Sequence, residues 1–132
     1  MSRTAACVPG TRVVHRRYVP YSHAHYAGNL VDGAYGLGLF GDAATELCIT
    51  TDEEEGLFAS YDEVRFVAPI RAGDLLEVTA ELVAVGDRSR RMSFTAHVVG
   101  RGDGVPGSAG ARLLEEPLLA TSATGTCVVG AG

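Results

Sequence analysis

In one segment of this chain the apolar residues recur with the period of an α-helix. In most of the chain after it, apolar and polar residues alternate with the period of a β-strand. Apolar residues in segment 30–49 recur at spacings of three and four, which predicts one long helix there. Four glycines interrupt the segment, at Gly33, Gly36, Gly38 and Gly41. Each glycine costs a helix up to about 1 kcal/mol relative to Ala. We therefore expect a sheet or another backbone to pack closely around this helix.

The strands are predicted by alternation of apolar and polar residues. Residues 75–85 show the pattern best, with Leu76 and Val78 on one face and Glu77 and Thr79 on the other. Further predicted strands cover residues 12–19, 61–69, 91–99 and 117–129. A strand, a helix and then a run of antiparallel strands indicate an α+β fold, with one long helix on a curved antiparallel sheet.

The length of the chain, 132 residues, fits a single domain over residues 1–132. Within it we expect residues 1–10 to be flexible and the Gly-rich residues 100–111 to form a mobile loop. Residues 20–29, which hold several Tyr and His, and the acidic residues 50–56 are predicted to be surface loops.

The charged residues exclude several classes of function. All 11 basic residues are Arg, so neither a Schiff-base lysine nor a P-loop lysine exists. A net charge of −5 argues against a nucleic-acid partner. No segment reaches the roughly 18 apolar residues of a membrane span, so no membrane partner is predicted.

The cysteines bear on metal binding and location. Cys7, Cys48 and Cys127 are too few and too scattered for a zinc site or a disulfide framework, and we expect no metal. A sparse, odd number of cysteines, together with a start that lacks the apolar stretch of a signal peptide, favours the cytoplasm.

The Gly-rich helix and alternating strands resemble the hotdog fold, in which a curved sheet wraps one central helix. Residues 68–74 (APIRAGD) resemble a segment common in hotdog acyl-CoA enzymes. Residues 25–33 (HYAGNLVDG) and 39–47 (LFGDAATEL) are similar to the 3-aminobutyryl-CoA ammonia-lyases. Shorter similar segments are residues 55–58, 85–92, 114–117 and 125–129, so that the resemblance spans about residues 12–129. His23 departs from the pattern, since an acidic residue is expected there.

The resemblance implies a carbon–nitrogen lyase that eliminates ammonia from a 3-aminoacyl-CoA, such as 3-aminobutyryl-CoA, to give the 2-enoyl-CoA (crotonyl-CoA) in a reversible reaction. It implies no cofactor besides the coenzyme A of the substrate, and a homodimer or larger assembly of dimers with sites at the interface. Two alternatives stay open, because a fold does not choose a function. One is an acyl-CoA thioesterase, with or without coupled amine addition, and the other is a non-catalytic acyl-CoA or acyl-carrier binding protein.

Elimination requires a base for the proton beside the thioester and donors for the thioester oxygen. Asp42 and Glu46 lie four residues apart on one face of the predicted helix. In an apolar wall the pKa of such a carboxylate is raised, which suits a base, although either one is alternatively a surface acid or an ion-pair partner of an Arg. His25, just before the helix, is a third catalytic candidate as a proton carrier. His15 and His97 lie in predicted strands and are expected to be structural.

Substrate-binding candidates cluster at the predicted start of the helix, where the first N–H groups lack intrahelical partners. Gly28 and Gly33 let a thioester approach the backbone closely, or alternatively serve turn geometry and packing alone. Tyr26, Asn29 and Val31 complete this set, with capping of the helix as the alternative role of Asn29.

A second binding cluster is predicted where a turn leads into a strand, at Arg88, Ser89, Arg90 and Arg91. Coenzyme A carries a 3′-phosphate and a pyrophosphate, and a chain without Lys must bind them with Arg, backbone N–H groups or hydroxyls. The alternative is a solubilising turn.

Overall fold

The computed structural model describes residues 7–130, in which one helix lies against a five-stranded antiparallel sheet. The elements are β1 (Arg12–Tyr18), β2 (Ala24–Tyr26), β3 (Leu30–Val31), α1 (Gly33–Asp52), β4 (Leu57–Phe66), β5 (Leu75–Val85), β6 (Ser89–Gly102) and β7 (Ala111–Val128). The large sheet has the order β1-β5-β6-β7-β4, and β2 and β3 form a separate small hairpin. The predicted α+β class is therefore confirmed. No helix within residues 7–130 is long and apolar enough to cross a membrane.

The core lies between α1 and the concave face of the sheet. Phe40 of α1 stacks on Phe94 of β6 with ring centroids 5.2 Å apart, and both are fully buried. In β5 the alternation predicted from the sequence holds, because Leu76 and Val78 face the helix while Glu77 and Thr79 lie on the outer, polar face. One face of the sheet is thus apolar and carries the helix.

The helix is displaced by three residues from its predicted range at both ends. Leu30 and Val31 pair with β2 instead of joining the helix, after a turn in which Gly28 (φ 75°) and Asn29 (φ 62°) are left-handed. At the other end residues 50–52, predicted as loop, are helical, and Glu53 closes α1 in a left-handed conformation. Thr51 in this last turn is fully buried.

Only the two ends of residues 100–111, predicted as a mobile loop, belong to strands. β6 continues to Gly102 and β7 begins at Ala111, which leaves a loop of residues 103–110. Asp103 organises that loop, since its carboxylate accepts hydrogen bonds from the Val105 N–H (2.9 Å) and the Ser108 hydroxyl (2.7 Å). Mobility of this loop stays a prediction. Residues 1–6 of the predicted flexible start lie outside the described residues.

The helix glycines are only partly wrapped, in contrast to the expectation. A Cβ at Gly36 would meet Thr121 and Ile70 at ordinary contact distances, and one at Gly33 would overlap the Phe66 ring at 2.7 Å. A Cβ at Gly38 or Gly41 would meet nothing within 4 Å in this chain. The bare flank at these two positions is open in the single protomer.

Candidate active site

A cleft of about 390 Å³ opens at the N-terminal end of α1. One wall is the β3–α1 junction, with Val31 and Gly33, and the other is residues 66–70 after β4. Tyr26 stands at its edge and Thr121 of β7 at its base. The sequence predicted three of these residues, namely Tyr26, Val31 and Gly33, and the structure brings them together.

The residues at the start of α1, Asp32 and Gly33, line this cleft. Asp32 occupies the N-cap position without making a side-chain capping hydrogen bond. Asn29, predicted as an alternative cap, is wrong for that role because it precedes the helix by four residues and its carbonyl accepts the Ala72 N–H at 2.9 Å. The first N–H groups of a helix have no intrahelical acceptor, and together with the helix dipole they favour an anionic oxygen.

The predicted loop before the helix is exposed and holds two aromatic–imidazole pairs. His25 contacts Tyr26 edge to face, with ring centroids 4.5 Å apart. His23, the departure from the family pattern, packs on Tyr35 of α1 at 4.4 Å. His25 therefore stands beside the cleft, next to a residue of its edge, while Gly28 lines an adjoining cleft together with Asn29.

Asp42 and Glu46 share one side of α1, as predicted, but they are not in an apolar wall. Their side chains are 65% and 55% exposed. Asp42 lies 3.7 Å from the Arg17 guanidinium, and Glu46 lies 2.8 Å from Nε2 of His15. The expectation of burial is therefore wrong for the single chain, and the alternative of an Arg partner holds for Asp42.

His15 was expected to lack supporting neighbours, which is wrong, since its Nε2 lies 2.8 Å from Glu46 Oε1; its structural role stays a prediction. Asp42 also lies about 14 Å along the helix axis from Gly33, at 1.5 Å per residue, and Glu46 lies farther. In one protomer these carboxylates and the N-terminal cleft are consequently separate.

Of the predicted phosphate-binding arginines, Arg90 is not available to a ligand. Arg90 is fully buried and donates to both carboxylate oxygens of Asp52 at 2.8 Å, and also to the carbonyls of Gly86 and Ser89. The hydrogen bond to Asp52 raises the pKa of the Arg90 guanidinium. Arg90 joins the end of α1 to the β5–β6 turn, and its proposed phosphate contact is corrected to a structural ion pair.

The two neighbouring arginines are also engaged. Arg91 points to the outer face of the sheet and pairs with Asp62 at 2.9 Å, and Arg88 donates to the backbone carbonyls of Val129 and Gly130. Ser89 is exposed in the same turn. All of these residues lie near the C-terminal end of α1, a helix length from the cleft.

Sequence reasoning missed a buried carboxylate, Asp74, that lines the adjoining cleft with Gly28 and Asn29. Asp74 is fully buried and accepts hydrogen bonds from the Arg71 N–H (2.8 Å) and from two nitrogens of Arg101 (2.8 and 2.9 Å). The pair raises the pKa of Arg101. The signal was present in the APIRAGD segment, whose last residue is this aspartate.

The fold agrees with what comparison with known proteins shows. Residues 30–105 match the family described as the thioesterase superfamily. The chain belongs to this superfamily of hotdog-fold proteins, and the predicted hotdog fold is confirmed.

Its similar relatives include two ammonia lyases. The chain is 51% identical over 108 residues to the 3-aminobutyryl-CoA ammonia lyase of Acetoanaerobium sticklandii, covering 80% of this chain and 84% of the relative. The solved structure of the β-alanyl-CoA:ammonia lyase of Clostridium propionicum matches with a TM-score of 0.88 at 34% identity, covering 93% of this chain and 87% of that one. A hexameric hotdog-fold thioesterase of Campylobacter jejuni matches with a TM-score of 0.72 at 24% identity, over 86% and 79% of the two chains, and shows the fold alone.

Proposed function

We infer that this protein is an acyl-CoA ammonia lyase, which removes ammonia from a 3-aminoacyl-CoA and reversibly forms the 2-enoyl-CoA. The observation that carries the inference is the 51% identity, over most of both chains, with a relative named for this reaction. The lyase from Clostridium propionicum, named for a different acyl group, shares the fold over nearly the whole chain. The thioesterase of Campylobacter jejuni is more distant, which favours the lyase over the thioesterase alternative. The acyl group we propose is 3-aminobutyryl, giving crotonyl-CoA.

We propose that the thioester lies in the N-terminal cleft, with its oxygen on the first N–H groups of α1. Negative charge collects on this oxygen when the proton leaves C2, and preorganised donors in a water-poor cleft stabilise it most. Gly33 suits this position because it has no side chain, although Phe66 lies against its bare flank. No cofactor besides the CoA of the substrate is required in this scheme.

The base in this proposal is Asp42, with Glu46 as its neighbour on the helix. A carboxylate oxygen takes the proton from C2, the electron pair of that C–H bond becomes the C2–C3 double bond, and the C3–N bond breaks with its electrons leaving on ammonia. A second carboxylate attracts the positively charged ammonium group of the substrate before the C3–N bond breaks. His25 stays a candidate for carrying the proton away from the site.

We propose further that two protomers build each site, because one protomer keeps the cleft and the carboxylates apart. The cleft of one protomer would face Asp42 and Glu46 of its partner, so the molecule would be a homodimer or a larger assembly of dimers. Hexameric assembly in a protein of the same fold supports an assembly beyond the dimer. Action in the cytoplasm remains the prediction from the sequence.

The reaction is tested by incubating the protein with crotonyl-CoA and ammonium. Loss of the enoyl absorbance without release of free thiol supports the lyase. Thiol release identifies a thioesterase instead, and binding without either change identifies a non-catalytic acyl-CoA binding protein.

A further inference from the structure

The ion pairs of this chain leave few cations free to bind an anionic ligand. Five described arginines are paired with carboxylates, namely Arg16, Arg17, Arg90, Arg91 and Arg101. Arg88 donates to backbone carbonyls. Within residues 7–130 the guanidinium groups without a hydrogen bond or ion pair are those of Arg12, Arg65, Arg71 and Arg112. With no Lys in the chain, a phosphate-binding side chain is to be sought among these.

Arg71 is the member of this group that lies beside the active-site cleft. It is exposed and lines a second cleft of about 510 Å³ with Gly28, Asn29 and Arg101. Leu30 lines both clefts, and Ile70, the residue before Arg71, lines the first. The two clefts are thus neighbours, the first with a largely apolar wall and the second with an unpaired cation.

The backbone around Arg71 is firmly held, so its side chain projects from a fixed point. The Arg71 N–H donates to buried Asp74, and Arg71 forms an isolated antiparallel bridge with Leu30. Across the cleft, a Cβ at Gly28 or Gly104 would meet nothing within 4 Å, which leaves bare backbone for a bulky ligand. Arg101 adds a second guanidinium beside the cleft, with its charge matched by Asp74.

The other unpaired arginines are less well placed. Arg12 lies in a groove on the outer face of the sheet beside Glu77 and Glu81, which oppose an anion. Arg112 lies in a cleft that adjoins the second cleft at Arg101 and Gly102, but this cleft also holds the carboxylate of Asp103 and shares no lining residue with the active-site cleft. Arg65 of β4 lines neither cleft.

We propose that Arg71 binds a phosphate of the coenzyme A moiety, with the acyl thioester in the first cleft and the nucleotide end in the second. This rests on the proposed function, since it takes acyl-CoA as the ligand. The guanidinium makes charge-assisted, paired hydrogen bonds to phosphate oxygens, which fit this planar group. The predicted phosphate site thereby moves from Arg88, Arg90 and Arg91, whose guanidinium groups all make hydrogen bonds within the chain, to the opposite end of the helix.

The test compares Arg71→Gln with a control variant, Arg12→Gln. Each variant loses one exposed and unpaired guanidinium group. Crotonyl-CoA and crotonyl-pantetheine serve as substrates, because the second lacks every phosphate. We expect Arg71→Gln to raise KM for crotonyl-CoA about tenfold with little change in kcat, as the loss of uniform binding does. KM for crotonyl-pantetheine should stay unchanged, and Arg12→Gln should change neither. Equal effects on both thioesters, or no effect on crotonyl-CoA, would overturn the proposal.

Calorimetric titration with free CoA separates this proposal from the proposed reaction. If wild-type protein binds CoA without turning over crotonyl-CoA and ammonium, the lyase function fails while the Arg71 test still runs. The expected result is about tenfold weaker CoA binding in Arg71→Gln, and unchanged binding overturns the assignment. Titration with dephospho-CoA, which lacks the 3′-phosphate, then identifies the phosphate that Arg71 contacts. If wild type and Arg71→Gln still differ in affinity for dephospho-CoA, the contact is to the pyrophosphate. If their affinities no longer differ, the contact is to the 3′-phosphate.

Discussion

At the scale of single residues, the charged side chains of this chain divide into buried pairs and exposed ones. Arg90 and Asp52 form a buried pair with two hydrogen bonds of 2.8 Å, whereas the pair of Arg91 and Asp62 is about half exposed. Removing one partner of a buried pair leaves an uncompensated charge, while an exposed pair contributes little. Arginines that are adjacent in sequence therefore have different roles.

We expect the same substitution of an arginine to destabilise the protein by different amounts in the two ion pairs. Arg90→Met should lower the free energy of unfolding by about 3–5 kcal/mol, because Asp52 keeps the hydrogen bond from the Thr51 hydroxyl (2.8 Å) but loses the guanidinium that balances its buried charge. Arg91→Met should lower it by about 1 kcal/mol or less. Urea unfolding followed by circular dichroism measures both. A similar small loss in the two variants would contradict the structural role of Arg90.

Substitution of the exposed carboxylate Asp42 should have a small effect on stability and a large effect on activity. Asp42→Asn should leave stability within about 0.5 kcal/mol of wild type, because the side chain is mostly exposed. Its kcat for ammonia addition to crotonyl-CoA should fall by about 10²–10⁴, the contribution of a general base. Glu115→Gln, a change of an exposed acid far from α1 in sequence, is the control and should retain activity. Full activity of Asp42→Asn would remove Asp42 from the mechanism and leave Glu46 as the candidate.

At the scale of elements, periodicity located the interiors of strands and helix better than their ends. Residues 75–85 were predicted as a strand and β5 has these bounds, because alternation persists to both ends. The start of α1 was placed three residues early, because Leu30 and Val31 are held extended by residues about 40 positions away, through the bridge of Leu30 to Arg71 and the Val31 N–H bond to the Ile70 carbonyl (2.9 Å). The same limit applies to the site. The helix-start cleft was predicted from glycines nearby in sequence, but the partner of Arg90 lies 38 residues away at Asp52.

Two glycines in different elements should respond oppositely to Ala. Gly38→Ala in α1 should stabilise the dissociated protomer by about 0.5–1 kcal/mol, because Ala favours a helix and the added Cβ meets nothing in this chain. Gly125→Ala in β7 should destabilise it by about 1–3 kcal/mol, since the Cβ would lie 2.9 Å from the Ser60 carbonyl and 2.7 Å from the Phe58 ring. Thermal unfolding at low protein concentration measures both changes. A destabilising Gly38→Ala would indicate that a second protomer packs on this flank.

At the scale of the whole molecule, a single protomer keeps its cleft apart from the proposed catalytic carboxylates and leaves the apolar rim of the cleft uncovered. Phe66 and Val67, which line the cleft, are 60% and 58% exposed, and Tyr26 at its edge is 58% exposed. Adjacent exposed apolar residues of this kind mark interaction surfaces. The rim and the distant carboxylates together favour an assembly in which each cleft is closed by another copy of the chain.

Complementation between two inactive variants tests this assembly directly. Gly33→Val should block the cleft, because its side chain would overlap the Phe66 ring, and Asp42→Asn with Glu46→Gln should remove the carboxylates. In a symmetric dimer with shared sites, co-refolding equal amounts should restore about one quarter of wild-type activity, since half the dimers are mixed and each mixed dimer has one intact site. The mass of each variant by light scattering controls for loss of assembly. Restored activity requires that cleft and carboxylates come from different chains, whereas assembled but inactive mixtures would place the whole site within one protomer.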